Sequence, residues 1–326
     1  MAIKRGVSFY SYQEAYYNRK YDLEGLVKAT AQVVKAEGVE ILAEETPVGS
    51  FPDPLDADVE RWFRWMEKYG TKPVCMDSFI DYMMFKGRFC TLKEQVQMME
   101  RDLKLASRLG FSIIRVLCPV RKEVVEASIP AAERYGVKMG LEVHWPMMLD
   151  APWVQDYIEM FDRSGSKCVG IIPDFGIFQR RPPRKMLRNA VEAGASEAAI
   201  NRLSKSFDEG LPGGEVVKAM EKEGAGPAEM QVAAAYSRCR YNDPAKLRDI
   251  AKYILSFHGK FYDMDEDCVE TSIDYEGPIK VLKKIGFDGY INSEFEGQRL
   301  YTGAEDVDEV EQVRRHHVML KALIGD

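Results

Sequence analysis

Eight short runs of β-type residues, alternating with stretches of helical periodicity, constrain this chain more than any other feature. The runs are Gly6–Tyr12, Val39–Glu44, Pro73–Asp77, Ser112–Leu117, Lys138–His144, Cys168–Asp174, Tyr253–Gly259 and Tyr290–Phe295. Between them lie amphipathic segments such as Asp22–Ala36, Val59–Tyr69, Leu92–Leu109, Lys122–Tyr135 and Trp153–Ser164, whose apolar residues recur at helical spacing. Gly38, Gly70, Gly110, Gly136 and Gly286 fall just after helical patterns, where a left-handed C-terminal cap suits glycine. This alternation predicts an α/β fold, a (β/α)8 TIM barrel forming a single domain over residues 1–326. A doubly wound sheet is the structural alternative. No Gly-x-Gly-x-x-Gly opens the first helix, so neither that sheet nor a nucleotide cofactor is expected.

One connection is too long for an ordinary crossover. Residues 175–252, between the sixth and seventh runs, open with Arg180-Arg181-Pro182-Pro183-Arg184 and continue through several helix patterns broken at Gly210–Gly214 and Gly224–Pro227. They are expected to form a helical insertion at the catalytic face, serving as a lid or a subunit contact. The arginine cluster itself reads as a solvated loop or a partner contact.

Four potential metal ligands each stand near the end of a separate run: Glu142, Asp174, His258 and Glu294. In a barrel, strand ends meet at one mouth. Three carboxylates and one imidazole suit a hard or borderline divalent ion, Mn2+ first, then Mg2+, Co2+ or Zn2+. Such an ion stabilises an enediolate or enolate. Strand alternation places His144 on the face of Glu142, Lys260 on that of His258, and Glu296 on that of Glu294. Lys260 and Glu296 are therefore candidate contacts for sugar hydroxyls. Tyr10 and Tyr12 are candidates either to line a sugar pocket or to pack in the barrel core, Glu44 is a candidate contact, with Asp77 and Arg115 also at or near strand ends, and Trp145 is a candidate stacking surface.

Composition excludes other classes. The formal net charge of -7, without a long basic run, opposes binding to a phosphate backbone. With only 4 histidines, a multi-zinc nuclease centre is not expected either. No run of about 18 apolar residues and no signal segment is evident, so a soluble cytoplasmic protein without membrane contact is expected. The 6 cysteines lack paired spacing and read as reduced thiols. His316 and His317, beside Arg314 and Arg315, read as surface residues.

The order Glu, Asp, His, Glu on strands five to eight resembles the xylose-isomerase-like barrels of the sugar isomerase/epimerase superfamily. Within it the chain is similar to the α (catalytic) subunit of bacterial C-glycoside deglycosidases. The likeness lies in Gly6-Val-Ser-Phe-Tyr-Ser-Tyr-Gln13, Gly140-Leu-Glu-Val-His-Trp-Pro-Met147 and Ile172-Pro-Asp-Phe-Gly-Ile-Phe-Gln-Arg-Arg-Pro-Pro-Arg184, extended by His258-Gly-Lys-Phe261 and Asp274-Tyr-Glu-Gly277. The resemblance implies a lyase-type cleavage of 3-oxo-glycosides of the flavonoid C-glycoside type. Removal of the C2 proton gives a metal-stabilised enolate, which expels the aglycone at C1. It also implies a small β subunit in a hetero-oligomer. His144 is then the expected general base, since an imidazole ordinarily titrates near neutrality. The alternative is a ketose 3-epimerase or sugar isomerase acting through an enediolate, with Glu142 and Glu294 on opposite faces of the substrate. A keto-inositol or keto-sugar dehydratase is chemically close to the first reading. A barrel acting only as a scaffold would tolerate loss of a ligand, and none is missing.

Overall fold

The computed structural model describes residues 3–43, 51–117, 120–238, 241–301 and 306–325. Its strands are β1 Lys4–Ser8, β2 Gly38–Leu42, β3 Lys72–Ser78, β4 Ile113–Val116, β5 Lys138–Val143, β6 Val169–Pro173, β7 Phe257–Phe261 and β8 Tyr290–Phe295. All pair in parallel, in the order β6-β5-β4-β3-β2-β1-β8-β7. Isolated parallel bridges, Ile171 to Ile254 and Asp174 to His258, span the remaining gap between β6 and β7. The expected eight-stranded barrel is therefore present. Its strands are buried on both faces, as helices outside a parallel sheet require.

Two expected strands shift. β1 stops at Ser8, and Phe9–Tyr12 turn into a 3-10 helix. The Ser11 hydroxyl accounts for this: it donates to Ser293 O (3.0 Å) and accepts from Phe295 N–H (2.8 Å), replacing a backbone pairing with β8. β7 begins at Phe257 rather than Tyr253, which lies in the 3-10 turn Ala251–Tyr253 and donates its hydroxyl to Asp162. Gly70, Gly136 and Gly286 do adopt left-handed helix caps. Gly38 does not. It starts β2, and a Cβ there would lie 2.8 Å from the Tyr290 ring, so close packing requires the glycine; Lys35 takes the left-handed position instead.

The long connection holds helices Arg184–Glu192, Glu197–Asp208, Gly213–Lys222 and Pro227–Arg238. They share an apolar cluster of their own, including Leu203, Phe207, Met220 and Val232. The arginine cluster is not a free solvated loop. Arg180 pairs with Asp274 (2.7 Å), Arg181 donates to Thr271 O (2.7 Å), Arg184 pairs with Asp265 (3.1 Å) and Arg188 with Asp263 (3.0 Å). These contacts clamp the insertion to the loop after β7, whose carboxylates outcompete water for the guanidinium forks. Cys75, Cys90, Cys168 and Cys268 are free thiols, as expected; Cys118 and Cys239 lie outside the described residues. Among the described residues no helix is long and apolar enough to cross a membrane.

His316 and His317 overturn the surface reading. The C-terminal helix Glu309–Ile324 packs against the barrel, and both rings lie on its buried face with Val313 and Leu320. Ser293 Oγ is 2.8 Å from His316 Nδ1 and 2.8 Å from His317 Nε2. Burial, then the Arg5 guanidinium, push His317 down to about 3. A base with a depressed folded-state pKa stabilises above its unfolded value near 6.5 and loses that contribution as pH falls. Between pH 6 and 4 the wild-type protein should therefore lose up to about 1.4 kcal/mol per pH unit more than His317→Gln. Urea midpoints against pH measure this, and parallel profiles would refute it.

Candidate metal centre

The barrel brings the four expected ligands together. Glu142 lies near the end of β5, Asp174 just after β6, His258 on β7 and Glu294 on β8. One ligand atom from each falls within 4.8 Å of the others, and all four residues are buried. Local structure sets each one. The Asp174 amide donates to Val143 O (3.0 Å), joining it to β5, and its Oδ1 accepts from Gly176 N–H. A Cβ at Gly176 would lie 2.7 Å from that oxygen, so glycine is needed for the turn.

Beneath the quartet lies a layer of charge that sequence reasoning placed only in part. Asp77 and Arg115 are register partners on β3 and β4 and form a two-bond fork at 2.6 Å for each bond. The remaining Arg115 nitrogen, Nη1, donates to Glu142 Oε1 (2.8 Å) and lies 3.4 Å from Glu294 Oε1 and 3.2 Å from His258 Nδ1. His258 Nε2 lies 2.7 Å from Glu40 Oε1. Asn292 donates to the other Glu40 oxygen (2.7 Å) across the space left by Gly6, where a Cβ would lie 2.1 Å from Asn292 Oδ1. Glu40 and Asn292 were missed. The available signal was a glutamate inside the apolar run Val39-Glu40-Ile41-Leu42, where burial demands a partner.

Above the quartet, Lys260 Nζ lies 3.2 Å from Asp174 Oδ2, 3.2 Å from Glu294 Oε2 and 2.9 Å from Glu296 Oε2. The first two oxygens are buried and have no hydrogen-bond donor. Six carboxylates (Glu40, Asp77, Glu142, Asp174, Glu294, Glu296) thus surround three cationic groups, Arg115, Lys260 and the His258 ring. Two orphaned buried acceptors, an excess of negative charge and a three-oxygen, one-nitrogen donor set fit a divalent cation. The buried cluster could hold one.

Electrostatics divide the ligands. Burial opposes ionisation of Glu142, but Arg115 and His258 outweigh it and hold the carboxyl down at about 2. Lys260 and His258 likewise hold Glu294 well below the usual range against its burial. Burial pushes Asp174 up to about 8, with Glu294 and Glu142 adding to it against Lys260. Burial would lower His258, but Glu40 and Glu294 keep the ring protonated well above its usual value.

The other expected site residues divide between the mouth and the core. β5 ends at Val143, so half-buried His144 begins the following loop, its Nδ1 2.7 Å from Trp145 O. Trp145 is half-buried, with its indole N–H unpaired. Tyr10 reaches the site's edge: its hydroxyl donates to Glu296 Oε1 (3.3 Å) and accepts from Arg299 (3.0 Å). Tyr12 does not line the mouth. It is fully buried in the apolar core beside Phe9, because the 3-10 turn redirects it. Glu44 lies outside the described residues.

Residues 28–322 match the family model described as "Xylose isomerase-like TIM barrel". The chain is 26% identical over 335 residues to the 3'-dehydrocarminate deglycosidase alpha subunit of Microbacterium sp, covering 98% of this chain and 95% of that one. It is 27% identical over 333 residues to a C-glycoside deglycosidase alpha subunit of Arthrobacter globiformis, covering 99% and 93%. The fold is also similar to the crystal structure of IOLI protein with a bound zinc atom, at TM-score 0.55 and 15% identity, covering 99% of this chain and 98% of that one.

Ligation requires Asp174 ionised and His258 Nδ1 bare, so a cation must displace protons. With Asp174 at about 8, affinity should rise as pH climbs through that value, and binding at pH 7 should release at least one proton. Calorimetric titration of metal-free protein with Mn2+, in buffers of different ionisation enthalpy, measures both. Asp174→Asn should weaken binding by tenfold or more. Unchanged affinity in that variant, with no proton release in the parent, would exclude the quartet as the site.

Proposed function

We propose, from the premise that this chain belongs to the xylose isomerase-like TIM barrel family, that it is a metal-dependent C-glycoside deglycosidase subunit cleaving 3-oxo-glycosides. What carries the reading is near-full-length likeness to two chains named as deglycosidase alpha subunits, in a barrel that assembles the complete ligand quartet. Glu142, Asp174, His258 and Glu294 would hold the ion, Mn2+ before Mg2+, Co2+ or Zn2+. When bound, the ion supplies positive charge against the oxyanion of an enolising ketone.

His144 is the base. A carbonyl only accepts, so the contact of Nδ1 with Trp145 O assigns the ring proton to Nδ1 and leaves the lone pair on Nε2. Nε2 takes the C2 proton of the 3-oxo sugar, and the C–H electron pair forms the enolate of the C3 ketone. Collapse restores the ketone, creates the C1–C2 double bond and breaks the bond from C1 to the aglycone. The aglycone leaves with that electron pair and gains a proton, so the reaction needs no oxidant beyond the one that made the ketone. Lys260, Glu296 and Tyr10 orient sugar hydroxyls, and Trp145 offers a face for a ring. A small β subunit is the proposed partner, consistent with the subunit names of the relatives.

The test is a substrate panel with metal-loaded protein, alone and co-expressed with a β-type partner. Aglycone release should occur from 3-oxo-C-glycosides and not from the unoxidised parents. Epimerisation of a free ketose, or dehydration of a keto-inositol, without aglycone release would replace this reading. His144→Ala should retain its metal and lose about 10²–10⁴ in rate. Turnover that survives the substitution would remove His144 as the base.

A further inference from the structure

The mouth holds buried polar atoms that the ligand quartet does not use. Gln298 lies in the 3-10 turn Gly297–Leu300 that directly follows β8. It is 8% exposed, yet both its amide nitrogen and its amide oxygen lack any hydrogen-bond partner. Its neighbours fix the turn. A Cβ at Gly297 would lie 1.8 Å from Tyr262 O, so the backbone is pressed against the residue after β7. Arg299 is tied to the Tyr10 hydroxyl (3.0 Å) and to Gln13 (3.3 Å). The first insertion helix, Arg184–Glu192, roofs the turn: Asn189 donates to Leu300 O (2.6 Å), and Lys185 Nζ stands 4.9 Å from the centre of the Tyr301 ring.

Two other segments on the same face repeat the pattern. Asn189 Oδ1, on the roofing helix, is buried and unpaired. So is Trp145 Nε1, in the loop after β5. Native proteins pair nearly all such groups, so three orphans from separate segments at one mouth call for an occupant. Their chemistry describes it. Trp145 only donates, Asn189 Oδ1 only accepts, and the Gln298 amide does both side by side. Each hydroxyl of a polyol also donates and accepts, so a run of neighbouring hydroxyls matches the set.

We propose that Gln298 is a substrate-binding residue whose amide reads adjacent hydroxyls of the sugar ring, and that the insertion supplies the opposite wall of that subsite through Asn189. The sugar as ligand rests on the function proposed above, while the assignment of Gln298 rests on geometry alone. It gives the insertion a role in recognition, beyond that of a lid or a docking surface.

Gln298→Met keeps the length of the side chain and removes both polar atoms. Binding to the manganese-loaded protein is measured by calorimetry with two probes, methyl 3-oxo-β-D-glucopyranoside and D-fructose, and with the 4-deoxy and 6-deoxy forms of the first. The variant should bind the preferred probe at least tenfold more weakly, hold Mn2+ within twofold of the parent, and melt no lower, because an unpaired buried amide has gone. One deoxy probe should lose affinity with the parent and show no further loss with the variant. Trp145→Phe, which keeps a ring and removes the N–H, should weaken binding in the same assay and gives a second reading if Gln298→Met folds poorly. Equal sugar affinity in parent and Gln298→Met, or a variant that only melts lower, would overturn the proposal while leaving the deglycosidase reading intact. Preference for D-fructose with the same loss in the variant would support Gln298 and remove the deglycosidase. Binding of neither probe by the parent would overturn both.

Discussion

Arg115 is the group on which the rest of the site depends. Carboxylates taken out of water repel one another and lose hydration, and a pair is tolerated only when geometry and hydrogen bonding are good. Here one guanidinium meets both demands. Its fork closes on Asp77, and its remaining nitrogen faces Glu142, Glu294 and His258 together. The parallel register that sets Asp77 level with Arg115 is therefore what lets β5, β7 and β8 bring acidic and imidazole ligands to one point. A lysine could not do this, because it lacks the planar fork that holds one carboxylate while addressing a second.

The charge is graded along the barrel axis. Low in the barrel, Asn292 and Glu40 hold the Nε2 side of His258. Nδ1 faces the ligand carboxylates, which leaves that nitrogen for a metal and the other for a carboxylate, an arrangement common to metal-bound histidines. High in the barrel, Lys260 compensates Asp174 and Glu294 only at 3.2 Å and shares itself with Glu296. The lower layer is thus closely paired and the upper layer loosely so. That contrast places adaptable charge on the side from which a substrate arrives.

The fold was legible because it rests on local periodicity. Eight apolar runs and the spacing between them are properties of neighbouring residues, and the barrel follows from them. The convergence of Glu142, Asp174, His258 and Glu294 was legible for a related reason, since strand ends must converge at a mouth. What stayed hidden depends on contacts between distant residues. Ser11 ends β1 early by replacing a backbone pairing with β8, and that in turn sends Tyr12 into the core. His316 and His317 look like surface residues beside two arginines, and only the packing of the last helix onto Ser293 buries them. The Arg180–Arg188 clamp needed the acidic loop after β7, which no local pattern links to it.

The same distinction separates reaction class from reaction. A buried quartet of three carboxylates and one imidazole suits a divalent cation whatever substrate the mouth admits. Such a centre cannot tell a ketose from an oxidised glycoside. Selection has to come from groups that touch the parts of the substrate that do not react. The residues proposed for that role stand on segments outside the strands: His144 and Trp145 after β5, Glu296 and Gln298 after β8, and Asn189 on the insertion. The arginine clamp matters for the same reason. It fixes the insertion to the loop after β7, the strand that carries His258 and Lys260, so the insertion and the charged cluster are held in one frame. A helix roofing the mouth without that tether would leave Asn189 free to move away from the turn it caps. For the proposed subsite, the tether sets the geometry before a sugar enters, and less freedom is lost when it binds.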